Sequence, residues 1–160
     1  MSSLPLDKLG FRLLHVGVAV PSLGPAAESL SKLFGYKLVS GPFDDPIQKV
    51  SVEFLSQSGE DAAEIELIAP AAEDSPIRSM LAKDGGGAYH LCFETSDIEA
   101  AVAHAKATGC IVVSPPVPAV AFEGRRIAWI YTRARQLFEL VEAKTHSEPM
   151  SLEPANPELE

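Results

Sequence analysis

Four residues of the kinds that bind metals and move protons stand in matched places along this chain. His15 opens the apolar stretch "HVGVAV" and His90 opens "HLCFET"; Glu66 lies inside "AEIELIAP" and Glu139 inside "LFELVEA". The spacing from histidine to glutamate is 51 residues in the first case and 49 in the second (66 − 15 and 139 − 90). A lone strand histidine or glutamate says little, but the same pair placed twice points to one shared centre. A buried carboxylate without a partner costs several kcal/mol or is forced neutral. A divalent cation removes that cost, and two imidazoles with two carboxylates suit Ni, Co, Mn, Fe or Zn with positions left for water or substrate. Such an ion can polarise a carbonyl or thioester oxygen, and a carboxylate beside it can move an α-proton. His15, Glu66, His90 and Glu139 are therefore the candidate metal ligands, and Glu66 and Glu139 the candidate catalytic residues.

The elements that must position these residues repeat as well. In the first half a strand over 13–20 precedes a helix that Ser22 can cap, with Pro25 tolerated in its first turn. Ala26, Ala27, Leu30, Leu33 and Phe34 fall at helical spacing, and Gly35 ends the helix. Three strands follow, over 36–43, 50–56 and 63–69, separated by "DDP" and "QSGEDA". The second half runs in the same order: a strand over 88–95, a helix from Asp97 to about Thr108, then strands over 110–114, 125–132 and 137–143. "PPVP" breaks the first of these last three or marks it as an edge. Alternation sets Glu66 opposite Ile65 and Leu67, and Glu139 opposite Phe138 and Leu140. The apolar neighbours then pack on the helices and the glutamates face the concave side. The expected fold is α+β, two tandem βαβββ modules forming a cleft-shaped mixed sheet. It places one domain over 11–143, with modules at 11–70 and 87–143, a linker at 71–86 that holds a short helix from Pro76, and a disordered polar tail over 144–160.

Composition narrows the partners. With 22 acidic against 13 basic residues the net charge is −9, which argues against a nucleic-acid ligand that needs basic surface. No apolar run approaches the roughly 20 residues of a membrane span, and the first ten residues do not read as a secretory signal. Cys92 and Cys110 have no framework spacing and read as reduced, semi-buried thiols of a cytoplasmic protein. Four of the six arginines cluster at 125, 126, 133 and 135. Arg126 and Arg133 from that patch, with Gln48, are the candidate substrate-binding residues, suited to a carboxylate or phosphate. Glu53, His104 and His146 are expected on solvated surfaces.

These features resemble the vicinal oxygen chelate superfamily, also called the glyoxalase/bleomycin-resistance/dioxygenase superfamily. The resemblance covers about 13–143, and within the superfamily the chain looks most like the methylmalonyl-CoA epimerase family. The matching stretches are "HVGVAVPSL", "VSVEFL", "EIELIAP", "DSPIRSMLAKDGGGAYHLCFETSDIEAAV" and "GRRIAWIY" with "LFELVEA". Two features depart from the family pattern: Tyr89 replaces the first of two adjacent histidines, and "YTRARQLFEL" replaces a His-Pro-Lys stretch with a glycine turn. The resemblance implies paired modules around one divalent metal (Co, Ni, Zn or Mn), held by residues placed like His15, Glu66, His90 and Glu139. It implies a metal-dependent epimerase that moves an α-proton through a metal-stabilised enolate on an acyl-CoA such as methylmalonyl-CoA, in a homodimer. The alternatives are another glyoxalase-like lyase, a thiol transferase, or a non-catalytic small-molecule-binding protein. A complete four-ligand set counts against the last, and a fourth ligand at Glu66 counts against a dioxygenase, which uses two histidines and one carboxylate.

Overall fold

The computed structural model describes residues 6–57 and 62–145. A four-residue helix α1 (Leu6–Leu9) leads into β1 (Arg12–Ala19), α2 (Leu23–Phe34), β2 (Lys37–Asp45), β3 (Val50–Ser56) and β4 (Glu64–Pro70). Helix α3 (Arg78–Asp84) separates this half from β5 (Gly87–Thr95), α4 (Ile98–Ala107), β6 (Ile111–Pro118), β7 (Arg126–Tyr131) and β8 (Leu137–Glu142). A 3-10 turn at Val120–Phe122 lies between β6 and β7. This is the α+β arrangement the repeat implied. The strands form one curled eight-stranded sheet in the order β2-β3-β4-β1-β5-β8-β7-β6. Each half contributes four neighbours, its first strand parallel to its last, and the two first strands meet antiparallel at the centre.

That topology follows from the sequence pattern. β4 and β8 each receive a first strand on one edge and a third strand on the other, which makes them interior strands, and their middle residues are buried on both faces, so they read as nearly continuous apolar runs. β6 carries Pro115, Pro116 and Pro118, which cannot donate to a ladder, and it sits at the sheet edge. Gly35 ends α2 at φ 72°, a left-handed conformation that glycine adopts without Cβ strain.

The core has two layers. On the concave face Val52, Phe54, Ile68, Cys92, Ile127 and Val141 cluster together. On the convex face α4 sets Ile98, Ala101, Val102 and Ala105 against Ala128, Ile130 and Leu140. Burying each larger aliphatic chain stabilises the fold by roughly 1.5–3 kcal/mol. Three local expectations are revised. Glu53 is buried, because alternation turns it onto the convex side beneath the first half's layer. His104 is half-buried and lines a convex-side hollow with Phe93 and Phe138. Cys92 is fully buried, and burial first, then the nearby Glu139 and Glu66 charges, pushes its thiol well above the usual range. Lys144 and Thr145 are exposed and irregular, whereas the rest of the tail, with His146, lies outside the described residues.

Candidate metal centre and active site

The register of the sheet brings the four donors to one point. His15 sits at the centre of β1, where it pairs with Cys92 of β5, while Gly17 pairs with His90. Two residues past His15 the chain carries Gly17, and a Cβ there would fall 2.1 Å from the His90 ring. The glycine of "HVGV" is thus the opening through which His90 crosses to reach His15. Glu66 on β4 and Glu139 on β8 flank the pair from either side, each on the strand parallel to its module's histidine strand. All four side chains are buried.

Their distances describe a closed cluster. His15 Nε2 lies 3.0 Å from His90 Nε2 and 3.0 and 3.2 Å from the Oε2 atoms of Glu66 and Glu139. His90 Nε2 lies 3.2 Å from both Oε2 atoms. All four ligand atoms fall within 4.8 Å of one another. The distances suit hydrogen bonds, but the directions do not: both Oε2 atoms are buried with no hydrogen-bond partner, as are the Nδ1 atoms of both rings. One proton shared between two imidazole nitrogens leaves two carboxylate oxygens unserved, a costly arrangement. Metal–nitrogen and metal–oxygen bonds of about 2.1 Å place cis ligand atoms about 3 Å apart. The donor set, its spacing and its unserved lone pairs therefore fit a divalent cation, and among the described residues this is the one group of three or more such side chains that could hold one.

Without such an ion, the cluster holds protons. Burial alone would push His15 down, but the adjoining carboxylates of Glu139 and Glu66 outweigh it and raise the group to about 9. His90 is raised by the same opposition. Burial would raise Glu139, yet its contacts with His15 and His90 hold it at about 2. The rings are oriented by packing. Phe54 meets His15 edge-on at 5.4 Å and Phe122 stacks on it at 5.9 Å, while Trp129 meets His90 edge-on at 4.8 Å.

Beside the cluster lies a cavity of about 40 Å³ into which Glu66, His90 and Glu139 open. Its walls are apolar, with Val52, Ile68, Ile127 and Trp129 prominent, and its polar lip carries Asp45 and Gln48. The structure thus brings His15, Glu66, His90 and Glu139 together and sets Gln48 at the same cavity. It does not bring Arg126 or Arg133 there. Arg126 starts β7, where Glu142 and Glu99 face it, and it donates to Glu142 Oε1 at 2.8 Å and Glu99 Oε1 at 2.6 Å. Arg133 lies in the exposed β7–β8 turn with its guanidinium against Gly109. Sequence reasoning missed Phe122, Trp129 and Asp45. Trp129 had a signal, since alternation puts it on the face of Ile127; Phe122 sits in an aperiodic turn and had none.

A fold of two pseudo-equivalent halves around a two-histidine, two-glutamate centre defines a class, and residues 14–129 match the model of the glyoxalase/bleomycin resistance protein/dioxygenase superfamily. The chain belongs to that superfamily. Within it the chain resembles the methylmalonyl-CoA epimerases, as its sequence motifs imply. It is 34% identical over 123 residues to the ethylmalonyl-CoA/methylmalonyl-CoA epimerase of Cereibacter sphaeroides, covering 76% of this chain and 89% of the relative. It is 30% identical over 131 residues to the mitochondrial methylmalonyl-CoA epimerase of Dictyostelium discoideum, covering 81% and 76%. Among solved structures, that of methylmalonyl-CoA epimerase from Mycobacterium tuberculosis matches with a TM-score of 0.75 and 31% identity, covering 87% of this chain and 91% of that one.

Proposed function

We propose that residues 11–143 form a metal-dependent acyl-CoA epimerase acting on a 2-substituted malonyl-CoA such as methylmalonyl-CoA. The observation that carries this reading is the convergence of two histidines and two glutamates, all buried, three of which (Glu66, His90 and Glu139) line a small apolar cavity. His15, Glu66, His90 and Glu139 hold the ion, which when bound supplies Lewis-acid stabilisation to negative charge developing on the substrate's thioester oxygen.

The protein's own residues do the rest. Epimerisation needs a proton taken from one face of the α-carbon and returned to the other. Glu66 and Glu139 approach from opposite flanks of the histidine pair, one from each half, and are the proton carriers. Val52, Ile68, Ile127 and Trp129 exclude water, so charge on a carboxylate is felt strongly. Gln48 at the lip offers amide N–H groups to a substrate carboxylate or thioester. Arg126 and Arg133 take no part, since the first is held by two carboxylates and the second faces away. The reading includes a homodimer, on family resemblance, which sedimentation tests, and a cytoplasmic location, on the two cysteines without framework spacing.

Elemental mass spectrometry followed by deuterium wash-in at the α-carbon of methylmalonyl-CoA tests the core of this proposal. We expect about one equivalent of a transition metal per chain, and exchange that a chelator abolishes. In Glu66→Gln and Glu139→Gln we expect interconversion of epimers to fall by roughly 10²-fold or more, each variant retaining exchange from one epimer. A metal-loaded protein that exchanges no α-proton of any malonyl-CoA overturns the reading.

A further inference from the structure

Part of the cavity wall does not belong to the sheet: Pro76 and Ile77 ahead of α3 line it, and so does the connection between β6 and β7. The segment from Ala119 to Gly124, between β6 and β7, crosses the concave face and reaches β2 of the other half. It contributes Ala119, Ala121 and Phe122 to the cavity lining. The segment is a closed clip. Gly124 and Phe122 both donate their backbone N–H to the Ala119 carbonyl, at 3.0 and 3.3 Å, and Ala119 donates in turn to Arg125 at 3.1 Å. Arg125 fastens its end by donating to Glu94 Oε2 at 3.2 Å and to the Glu142 carbonyl at 3.0 Å.

Phe122 is the fixed point of this clip. Its ring stacks on His15 with 10° between planes, meets Phe54 edge-on at 5.6 Å and has the Arg125 guanidinium 5.4 Å from its centroid. Held by three neighbours, the ring cannot swing aside for a bulky group. The space it closes, about 40 Å³, is small, since a single water occupies roughly 10–15 Å³ on this measure. A malonyl thioester presents two polar arms and one alkyl substituent at its reacting carbon. The polar arms match an ion held by the four donors and the Gln48 amide at the lip, which leaves the apolar remainder of the cavity for the substituent.

We propose that Phe122 is a specificity-determining residue: it caps the cavity so that the reacting carbon can carry a methyl or an ethyl group and nothing longer. This rests on the acyl-CoA epimerase reading above. A misfit of a single methylene in an apolar pocket is worth roughly 10–200-fold in kcat/KM. Removing the cap therefore changes the ranking of substrates, beyond any loss through His15 that all substrates share.

The test compares methyl-, ethyl- and butylmalonyl-CoA in deuterium exchange with the metal-loaded full chain, as wild type, Phe122→Ala, Phe122→Leu and Ala121→Val. Binding of free 2-methylmalonate and 2-butylmalonate to the same loaded proteins is followed by calorimetry. We expect the wild type to favour methyl and ethyl over butyl by at least about 100-fold in kcat/KM. Phe122→Ala should narrow that ratio at least about tenfold in favour of butyl when rates are taken per bound metal, because the ring also supports His15, and Phe122→Leu should do so less. Ala121→Val should penalise ethyl about tenfold more than methyl. Equal handling of methyl and butyl by the wild type overturns the inference. So does a parallel loss of all substrates in both Phe122 variants, which marks the ring as a support for His15 alone. If no malonyl-CoA exchanges in any variant, the epimerase reading falls. The malonate series still decides the cap, because wild-type protein that binds 2-butylmalonate as well as 2-methylmalonate has no size limit there.

Discussion

Helix α4 buries Ile98, Ala101, Val102 and Ala105 against the sheet, whereas α2, its counterpart in the first half, has no fully buried residue and leaves Leu33 and Phe34 exposed. The loops differ as much. The connection from β2 to β3 is a four-residue turn that puts Gln48 on the lip of the cavity, and the matching connection from β6 to β7 is the longer clip that puts Phe122 over its top. Even the positions two residues past the histidines differ, Gly17 in one half and Cys92 in the other. Yet the donors superimpose in role: each half gives one histidine from its first strand and one glutamate from its last. The difference teaches that sheet register alone fixes the donors. The layer behind the sheet and the loops in front of it can diverge, and their divergence supplies the polar lip on one side and the apolar cap on the other.

The strongest way to break this equivalence is to remove one donor at a time. Glu66→Ala and Glu139→Ala each leave three donors and an opened site. We expect both to drop from about one equivalent of metal to below about a tenth, and both to lose at least about 10³-fold in exchange activity, the scale of a positioned proton carrier together with its metal. Retention of metal by one variant alone would show that a single half dominates binding.

The positions past the histidines should separate more sharply. Gly17→Ala forces a Cβ to within 2.1 Å of the His90 ring, an overlap costing about 3 kcal/mol or more. Melting temperature should fall by roughly 6–12 °C, and metal affinity should drop as His90 is pushed from the cluster. Cys92→Ala, in the matching place, removes one buried sulfur and should cost about 1 kcal/mol with metal retained. Thermal melts and metal titration on the two variants measure the contrast.

Acid–base behaviour sharpens the comparison further. In metal-free protein His15 is raised from 6.5 to about 9, so its stabilising effect is complete below pH 6.5 and is lost as pH rises through 9. Glu139 is lowered from 4.5 to about 2, so its effect is present above pH 4.5 and lost as pH falls through 2. The metal-free cluster therefore supports the fold best between about pH 4.5 and 6.5. Metal binding needs deprotonated imidazoles and strengthens as pH rises. Melting curves of chelator-treated protein should fall between pH 6.5 and 9 while the loaded protein holds its stability. His90 is raised for the same reasons, so replacing either histidine by glutamine should flatten the alkaline slope.

How far the sequence reached follows from which forces are local. Period-two alternation placed Glu66 and Glu139 on the concave face, because side-chain direction in a strand is a short-range property, and the repeat paired each with a histidine. The same rule applied to Glu53 predicts a face but not what covers it, and the covering layer is a tertiary fact. Phe122 escaped because it lies in a turn with no period, and its partners His15 and Phe54 are far away in sequence. Arg126 attracted attention as part of a basic cluster, but its neutralisation by Glu99 and Glu142 depends on the packing of α4 beside β7 and β8. Close approach of His90 over Gly17 was written in "HVGV" only as a glycine, and a glycine does not say what passes over it.

The smallest effect lies at the helix starts. Asp97 precedes α4 with an extended backbone, and its Oδ1 accepts the Ala100 N–H at 2.9 Å. Ser22 holds the same place before α2, also extended, but its side chain makes no cap hydrogen bond. Capping satisfies a backbone donor that the helix cannot serve itself. Asp97→Ala should therefore cost about 1 kcal/mol, a fall of roughly 2–4 °C in melting temperature, and Ser22→Ala should cost a few tenths of that. Equal losses would mean that the hydroxyl of Ser22 caps α2 in solution, and would remove one of the differences on which the contrast between the halves rests.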